Sequence, residues 1–510
     1  MTLTAAIAIP PIEDFYFTPH RFSTLGEKTV QGILADEGIS TVFYNFPLMR
    51  KRSTPIPLPP ELRYLERFII ENERGRLSFF ARYRRFGPPI PECADTVCRG
   101  RPGICFISCF AYCYAQQTIA LARQIKRKNS AIITVVGGAG ASVHPTMFIR
   151  NPCIDFVIAG EAEVSLRRFI AALQSDIPHY GKVPNLYWKT GCTVHTPGGM
   201  KWSAPDDLDF IWNETFRTKG TRSVSMSLSR GCPKGCRFCS VALSHGTAFR
   251  TVPMERIKRG LLRLENRGEG HRVHINLEDD NILMAPSYLL EVLERMRESF
   301  TVFSFSAENG IDHTLLTADL VGSLISAGMR TFNLSIASAD PNILGRHNRS
   351  ADLTGYERTV AILTRNSIPS ITYFICGFEG DTPETVARTL AYLTKKDTRI
   401  GISLFYAVPG LVGAGLPADV NSLPPRLSAG SSAYPWTGSL STQTLVTAFR
   451  LSRFSNLMRH PEKTELERRC IEMICRTGKL HTIVQGKEIV EVPHMDKELV
   501  HLFFRALEAP

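Results

Sequence analysis

The 510-residue sequence lacks any apolar run long enough to cross a bilayer, so a transmembrane protein is not expected. Its first residues carry no basic leader and soon reach Pro10 and Pro11, a pattern that does not fit a signal peptide. Thirteen cysteines in so long a chain do not indicate a small disulfide-stapled domain. We therefore expect a cytoplasmic protein in a reducing compartment.

The length is too great for one ordinary hydrophobic core and predicts two or three domains. An apolar fraction of 44% is typical of a globular protein. The net charge of +12 fits nucleic acid, an anionic membrane surface, or anionic cofactors and substrates as partners. Residues 51–85 are basic and interleaved with apolar residues, which predicts an amphipathic helix pair with a solvated basic face.

The most specific pattern is a group of three cysteines, Cys232, Cys236 and Cys239, at C-x3-C-x2-C spacing. Three thiolates so spaced can converge on one small inorganic group, and iron–sulfur clusters usually take a fourth. The next cysteine downstream is Cys376, so a [4Fe–4S] cluster held here keeps one iron open. That iron can bind a small molecule with an amine and a carboxylate. A structural zinc site commonly needs a second close pair of ligands, which is missing.

At these residues the chain resembles the radical S-adenosylmethionine (SAM) superfamily, whose signature C-x3-C-x-Φ-C has an aromatic residue where this chain has Phe238. The resemblance implies that SAM binds the open iron through its methionine end. It further implies that one electron cleaves SAM to a 5′-deoxyadenosyl radical, which abstracts a hydrogen atom. An electron donor such as flavodoxin or ferredoxin follows from the same resemblance.

Residues 1–184 alternate between strand and helix patterns, beginning with a strand at 5–10, a helix at 25–37 and a strand at 39–45. This alternation predicts an α/β fold with a doubly wound, Rossmann-like parallel sheet whose ligand crevice lies at the carboxyl ends of the strands. A series of cysteines in the same region, Cys105, Cys109 and Cys113, is interpreted as core packing because cysteine is so often buried.

A pattern of GG, H-x-T, D and GE-x-E in this region resembles the cobalamin-binding domain that precedes the barrel in one radical SAM subgroup. The resemblance implies cobalamin contacts at Gly137, Gly138, His144, Gly160 and Glu161. The D-x-H-x-x-G motif of domains that donate a histidine to cobalt is missing, because His20 does not stand at that spacing. No protein histidine is therefore expected on the lower face of cobalt.

After a predicted linker at 185–215, residues 216–412 show six strand–helix units, which predict a partial (β/α)6 barrel with its chemistry at the strand carboxyl ends. Residues 413–510 predict a mainly helical extension. The family resemblance implies SAM contacts at the polar ends of three strands. These candidates are Phe238, Glu278, Asp280, Ser335, Ser338 and Gly377.

The chain departs from the family pattern at two positions close to these candidates. The fourth strand reads Ser335-Ile336-Ala337-Ser338-Ala339 where the cobalamin subgroup often has G-x-E-S-G, so Ala337 replaces a glutamate. The turn after the fifth strand places Asp381 where the family has glutamate. We interpret that acid as a charge at the start of a helix rather than a catalytic group.

The leading hypothesis is a cobalamin-dependent radical SAM C-methyltransferase acting on a small molecule, with methylcobalamin as the methyl donor. One alternative keeps the cluster and SAM but catalyses a non-methylating cyclisation or rearrangement. Another is an RNA methylthiotransferase, but those enzymes carry three cluster cysteines in the N-terminal domain and a C-terminal RNA-binding barrel. Neither pattern is present, so nucleic acid is not expected as a partner.

Overall fold

The computed structural model describes residues 3–19, 22–80, 82–218, 220–265, 272–300, 302–411, 416–417 and 419–509. The N-terminal part contains a seven-stranded sheet in the order β10-β9-β8-β7-β6-β1-β3. Its strands are β1 Thr4–Ile9, β3 Ser40–Asn45, β6 Ile104–Ser108, β7 Ile133–Gly137, β8 Phe156–Ile158, β9 Leu186–Thr190 and β10 Thr193–His195, and its helices are α1 Leu25–Asp36, α2 Ile90–Arg99, α3 Ala115–Lys128, α4 Ala139–Ser142, α5 Pro145–Ile149 and α6 Ala162–Gln174.

The strands β3, β1, β6, β7 and β8 are parallel, and their order along the chain is the flavodoxin-like 2-1-3-4-5 order. Consecutive residues of a strand point to opposite faces, so an unbroken apolar run fits a strand covered on both faces. In β1, Ala6 and Ala8 join the core under α2 and α3, whereas Ala5 and Ile7 join the core under α1 and α6. The predicted doubly wound sheet is therefore confirmed.

The hairpin of β9 and β10 extends this sheet beyond residue 184, where the predicted linker begins. Strand β9 pairs antiparallel with β8, and Trp188 stands opposite Phe156. Its ring also stacks on His195 of β10, at 4.8 Å between centroids. The first residues of the predicted linker are therefore strands of the sheet, and the irregular connection follows them.

The expected amphipathic helix pair in residues 51–85 is wrong. This segment forms the short strands β4 (Thr54–Pro55) and β5 (Arg84–Phe86), a 3-10 helix at Pro60–Phe68, and irregular chain between them. Prolines at 55, 57, 59 and 60 remove backbone donors and prevent a regular first helix. Strand β5 pairs with β2 (Ile12–Asp14), and the apolar residues of the 3-10 helix enter the barrel core.

Two four-stranded sheets, β11-β12-β15-β16 and β17-β18-β19-β20, form the second part. A parallel bridge between Phe305 and Met329 joins them, which places six parallel strands side by side as the predicted partial barrel requires. The strands are β11 Trp212–Thr218, β12 Thr221–Met226, β13 Ser229–Arg230, β14 Arg250–Thr251, β15 Arg272–Leu277, β16 Val302–Ser306, β17 Ile311–Asp312, β18 Phe332–Ala337, β19 Ser370–Cys376 and β20 Arg399–Leu404, and the helices are α7 Val241–Ser244, α8 Met254–Glu265, α9 Pro286–Ser299, α10 Ala318–Ser326, α11 Pro341–Arg346, α12 Thr354–Arg365 and α13 Pro383–Thr394.

The C-terminal extension covers the free edge of β20. Its elements are α14 Thr442–Arg459, α15 Glu465–Thr477, the hairpin β21 His481–Val484 and β22 Glu488–Glu491, and α16 Lys497–Glu508. Asn456 of α14 satisfies the edge backbone, because its amide accepts from Ile400 N at 2.7 Å and donates to Ile400 O at 2.8 Å. Glu73 of the 51–85 segment pairs with Arg450 of α14 at 2.6 Å and ties the two segments together.

The extension is mainly helical, as the sequence predicted, and its last helix, α16, begins with Asp496 as N-cap before apolar residues at Leu499 and Phe503. The predicted barrel end at 412 falls in residues 412–415, outside the described residues, as does His20 of the missing motif. Across the described ranges, no helix has the length and apolar character needed to span a membrane.

Candidate active site

The three-cysteine loop follows β13 at the mouth of the barrel and is held by its own backbone. Gly231 has φ of 81°, and a Cβ there would lie 2.2 Å from Ala248 O, so only glycine fits. Cys239 N donates to Cys236 O at 3.0 Å. The cysteines of the loop are half-buried rather than sealed in the core.

Two side chains donate hydrogen bonds to the thiol sulfurs of the loop. Asn281 Nδ2 lies 3.8 Å from Cys232 Sγ, and Arg349 Nη1 lies 3.9 Å from Cys236 Sγ. Burial raises the pKa of Cys239 to about 11, and burial also raises the pKa of Cys236 despite the opposing charge of Arg349. Thiolates in such a place need a bound cation to remain ionised, and donors aimed at sulfur suit a cluster.

Within the described residues, no three His, Cys, Asp or Glu side chains stand close enough to hold a single metal ion. A tetrahedral zinc site would bring its ligands onto one ion. In a four-iron cluster each thiolate binds a different iron, so the sulfurs stand farther apart. Three cysteines on one short loop match the protein ligands of a cluster that keeps one iron open.

Aromatic rings pack around Phe238 of the cysteine loop. Phe238 packs against Phe378, which follows β19, at 5.1 Å between ring centroids. His347 stacks on the same Phe378 ring at 4.1 Å. Phe238 thus links the loop to the turn after the fifth parallel strand, and its predicted SAM contact stays a prediction.

The predicted acids after β15 occupy two different places. Asp280 anchors the cysteine loop, because its Oδ2 accepts from Gly231 N at 2.8 Å and lies 2.8 Å from His245 Nδ1. Burial alone would raise the pKa of Asp280, but the hydrogen bond and charge of His245 bring it below the ordinary value. Glu278 instead lines the cavity at the N-terminal sheet, and burial raises its pKa.

The other predicted SAM positions lie at the carboxyl end of β18 and on the turns after β18 and β19. Ser335 uses its carbonyl to accept from Arg349 at 2.7 Å, and the hydroxyl of the buried Ser338 accepts from Asp340 N at 3.1 Å. Between them Ala337 has φ of 67° at a bulge. Gly377 has φ of 105°, and its N–H donates to Asp381 at 2.9 Å. That bond supports the structural interpretation of Asp381.

A cavity of about 310 Å³, here the first cavity, lies at the carboxyl edge of the parallel strands of the N-terminal sheet. Of the predicted cobalamin residues it contains Gly137, Gly138, Gly160 and Glu161, and the described lining does not include His144. His144 instead lies 3.4 Å from the Tyr112 hydroxyl, and burial lowers its pKa.

The first cavity is walled by both parts of the chain. The barrel contributes Ser227, Arg230, His245 and Glu278 to its lining. Its N-terminal walls are mostly glycine and apolar side chains, with the buried acid Glu27 among them. The cleft is largely apolar with a few polar groups, and it lies at the carboxyl edge of the sheet where the strand order reverses. Such a place suits a large organic cofactor.

The side chain of Glu161 has a role that the sequence did not suggest. Its carboxylate is fully buried and accepts from both terminal nitrogens of Arg250, each at 2.8 Å. Ser203 N donates to the same carboxylate at 2.7 Å. This side chain therefore bridges the N-terminal sheet, the segment that carries Ser203 and the barrel, and its predicted cobalamin contact stays a prediction.

A second cavity, of about 470 Å³, lies between the N-terminal sheet, the cysteine loop and β20. It shares Phe110 and Ala139 with the first cavity. Ser240, the neighbour of Cys239, and Tyr406 line it. The sequence offered one signal for this cavity, the aromatic runs at residues 15–17 and 110–114 just after strands.

The cysteines of the N-terminal sheet behave as packing residues. Cys105, Cys109 and Cys113 are all buried, and burial raises the pKa of Cys109 to about 12. Cys113 also reaches the wall of the second cavity. Their burial agrees with the interpretation from sequence that they pack the core.

Comparison with known families separates the two parts of the chain. A model of the B12 binding domain matches residues 82–170, and a model of the Radical SAM superfamily matches residues 226–393. The second match contains the cysteine loop, and the first contains the glycines at the sheet edge.

Two curated proteins are each similar to about half of the chain. The bacteriochlorophyllide d C-12(1)-methyltransferase of Chlorobaculum tepidum is 26% identical over 289 residues, covering 56% of this chain and 60% of that protein. An uncharacterized methyltransferase of Pyrococcus horikoshii is 24% identical over 285 residues, covering 54% of this chain and 61% of that protein. The chain thus spans about 60% of the length of these curated relatives.

Among solved structures, the radical SAM methyltransferase TsrM from Kitasatospora setae, with cobalamin and a [4Fe–4S] cluster bound, superposes with a TM-score of 0.61. The sequences are 15% identical, and the match covers 81% of this chain and 77% of that one. The likeness establishes a common fold, from the N-terminal sheet through the barrel.

Proposed function

Because this chain belongs to the radical SAM superfamily and carries a B12-binding domain, we propose that it is a cobalamin-dependent C-methyltransferase acting on a small molecule. The proposal assigns a [4Fe–4S] cluster to Cys232, Cys236 and Cys239, SAM to the barrel mouth and cobalamin to the first cavity. When bound, the cluster supplies the electron that cleaves SAM and cobalamin carries the methyl group.

The adjacency of the two cavities and the cysteine loop carries this proposal. The first and second cavities share Phe110 and Ala139, and the second reaches Ser240 beside Cys239. A substrate in the second cavity would therefore face the cysteine loop on one side and the N-terminal sheet on the other. Enclosure by protein on these sides excludes water from reactive groups.

Several residues of the chain orient the proposed cofactors. Asp280, held by His245 and Gly231 N, offers a carboxylate beside the cysteine loop, where an ammonium group would be stabilised. Asn281 and Arg349 donate to cluster thiolates. Ser335, Ser338 and Gly377 lie at the carboxyl ends of neighbouring strands, which supports the SAM contacts that the family resemblance implies.

We also propose that an acidic electron carrier, such as flavodoxin or ferredoxin, reduces the cluster in a cytoplasmic setting. The outer side of the cysteine loop exposes Arg237 and carries the half-buried Lys234. Positive charge beside the cluster favours docking of a protein with negative charge. All cysteines of the chain are free thiols, which suits a reducing compartment.

Labelled SAM tests the function directly. Anaerobically reconstituted protein should retain cobalamin, seen by its visible absorbance, and should transfer labelled methyl to substrate with S-adenosylhomocysteine and 5′-deoxyadenosine both formed. Formation of 5′-deoxyadenosine alone would favour a rearrangement instead. Protein that never retains cobalamin, with iron fully loaded, would refute the methyltransferase proposal.

A further inference from the structure

A third cavity, of about 360 Å³, lies along the free edge of β20 beneath α14. It neighbours the second cavity, since Ile402 and Phe449 line both. The two cavities therefore follow one another along the open side of the partial barrel. A molecule that occupies both cavities would pass these two side chains.

The lining of the third cavity is strongly basic. It contains Arg76, Arg399 and Arg453 together with His460, and its described lining contains no acid. Arg399 and Arg453 have no ion-pair partner among the described residues, whereas Arg76 lies 3.5 Å from Glu467. Two guanidinium groups are thus left to bind an anion.

Of the two arginines without an ion-pair partner in the described part of the chain, Arg453 gives the stronger evidence for an anion site. Its guanidinium stacks on Phe449 at 4.8 Å from the ring centroid and donates to Arg76 O at 3.4 Å. The nearest buried acid, Glu73, is already paired with Arg450 at 2.6 Å. Burial and the charge of Arg450 lower the pKa of Arg453, so the site is short of negative charge. A half-buried arginine without a carboxylate partner is costly unless a ligand supplies one.

The passage between the cavities is aromatic and apolar. Phe449 lies 5.4 Å from Phe80, which stacks on Tyr16 at 5.6 Å, and both Phe80 and Tyr16 line the second cavity. A ligand that fills this passage needs an apolar or aromatic body. A ligand whose end reaches the third cavity needs a negative charge there.

We propose that the substrate is an organic anion whose carboxylate or phosphate binds Arg453 and Arg399 in the third cavity, while its body passes Phe449 into the second cavity. This inference rests on the proposed function, because it names the substrate class of the same site. The anionic head lies at the far end of the substrate, and the carbon that reacts lies toward Ser240 and Tyr406.

Binding of three matched probes tests the proposal without turnover. Phenylbutyrate, phenylbutyl phosphate and phenylbutanol share one body and differ in their head groups. Titration calorimetry on the full, anaerobically reconstituted chain should show the alcohol binding at least about tenfold more weakly than the better anion. The order of the two anions then separates a carboxylate site from a phosphate site.

Substitutions locate the anion. Arg453→Gln and Arg399→Gln should each reduce the preference for the anions over the alcohol, and Arg365→Gln, an exposed arginine on α12, should leave it unchanged. If Arg453→Gln does not fold by circular dichroism, Arg399→Gln decides, because its side chain is exposed. Equal binding of all three probes, or anion binding unaffected by both substitutions, would overturn the proposal.

The outcome is independent of the methyl-transfer test. A chain that transfers labelled methyl but binds the alcohol as tightly as the anions keeps the proposed function and loses the anion site. A chain that prefers the anions through Arg399 and Arg453 but never retains cobalamin keeps the anion site and loses the proposed function.

Discussion

Glu161 at the start of α6 and Arg250 of β14 form a buried pair, in which the carboxylate accepts two hydrogen bonds of 2.8 Å from the guanidinium. The two residues belong to the N-terminal sheet and to the barrel. Arg250 also donates to Ser203 O at 2.6 Å, so the connection between the two parts joins the same network. This pair fixes the sheet edge that bears the first cavity against the cysteine loop.

Replacing Arg250 by methionine should lower the free energy of unfolding by about 3 to 5 kcal/mol, because it leaves the Glu161 carboxylate buried without a positively charged partner. Urea unfolding followed by circular dichroism measures the change. The control is Arg295→Met, which removes an exposed partner of Glu298 and should cost less than about 1 kcal/mol. Equal effects of the two substitutions would contradict a structural role for the buried pair.

The two adjacent glycines at the end of β7 should respond differently to alanine. A Cβ at Gly138 would lie 2.8 Å from Cys109 O, and its φ is 100°, whereas at Gly137 the nearest atom is 3.4 Å away. Gly138→Ala should cost at least about 2 kcal/mol and reduce cobalamin retention. Gly137→Ala should cost clearly less in the same thermal unfolding and absorbance measurements. A Gly138→Ala protein as stable as its neighbour would show that the close backbone approach is absent.

Hydrogen bonds to the thiolates should set the potential of the cluster. Arg349→Met removes a positive donor 3.9 Å from Cys236 Sγ and should make the cluster harder to reduce. A shift on the order of 50 to 100 mV follows from the strength of a hydrogen bond to a charged group. Redox titration monitored by electron paramagnetic resonance measures it. Arg346→Met, on the exposed end of α11, is the control, and an unchanged potential in Arg349→Met would remove this role.

Asp279 should make stability depend on pH. Burial raises its pKa from 3.8 to about 7, and its Oδ2 is buried with no hydrogen-bond partner in the described part of the chain. The folded protein therefore holds a proton that the unfolded chain has released, so this carboxyl stabilises the fold at low pH and the contribution is lost as pH rises from about 4 to about 7.

The matched substitution is Asp279→Asn, in which Oδ1 still accepts from Leu228 N and Ser229 Oγ. Between pH values of about 4 and 7, the free energy of unfolding should fall less in this variant than in the parent. Asp319→Asn, at an exposed acid of α10, should keep the slope of the parent. Identical slopes for the parent and Asp279→Asn would show that Asp279 ionises normally.

The regular alternation of strand and helix patterns along the chain made most of the fold predictable from sequence. Unbroken apolar runs such as Ile104–Ser108 indicate strands buried on both faces, and the helices between them fix a parallel sheet. The error at residues 51–85 arose because apolar spacing alone suggested helices there. The prolines prevent a regular helix there, and the ion pair between Glu73 and Arg450 holds the segment against α14.

The candidate site, like the fold, could be predicted from the sequence only in part. The cysteine loop is local in sequence, so its residues were predictable, as were the glycines at the sheet edge. The role of Glu161 was not, because Arg250 lies 89 positions away and no local pattern pairs them. Arg453 reaches the third cavity through the packing of α14 on β20, which the sequence pattern does not encode.

The open iron is the centre of the account, and the response of the reduced cluster to SAM tests it most directly. Electron paramagnetic resonance of dithionite-reduced protein should show a [4Fe–4S] signal that changes when SAM is added. The signal should be lost when Cys232, Cys236 and Cys239 are replaced by alanine together, and kept when the exposed Cys192 and Cys475 are replaced. A signal that SAM leaves unchanged, or a cluster that survives the triple substitution, would contradict the account.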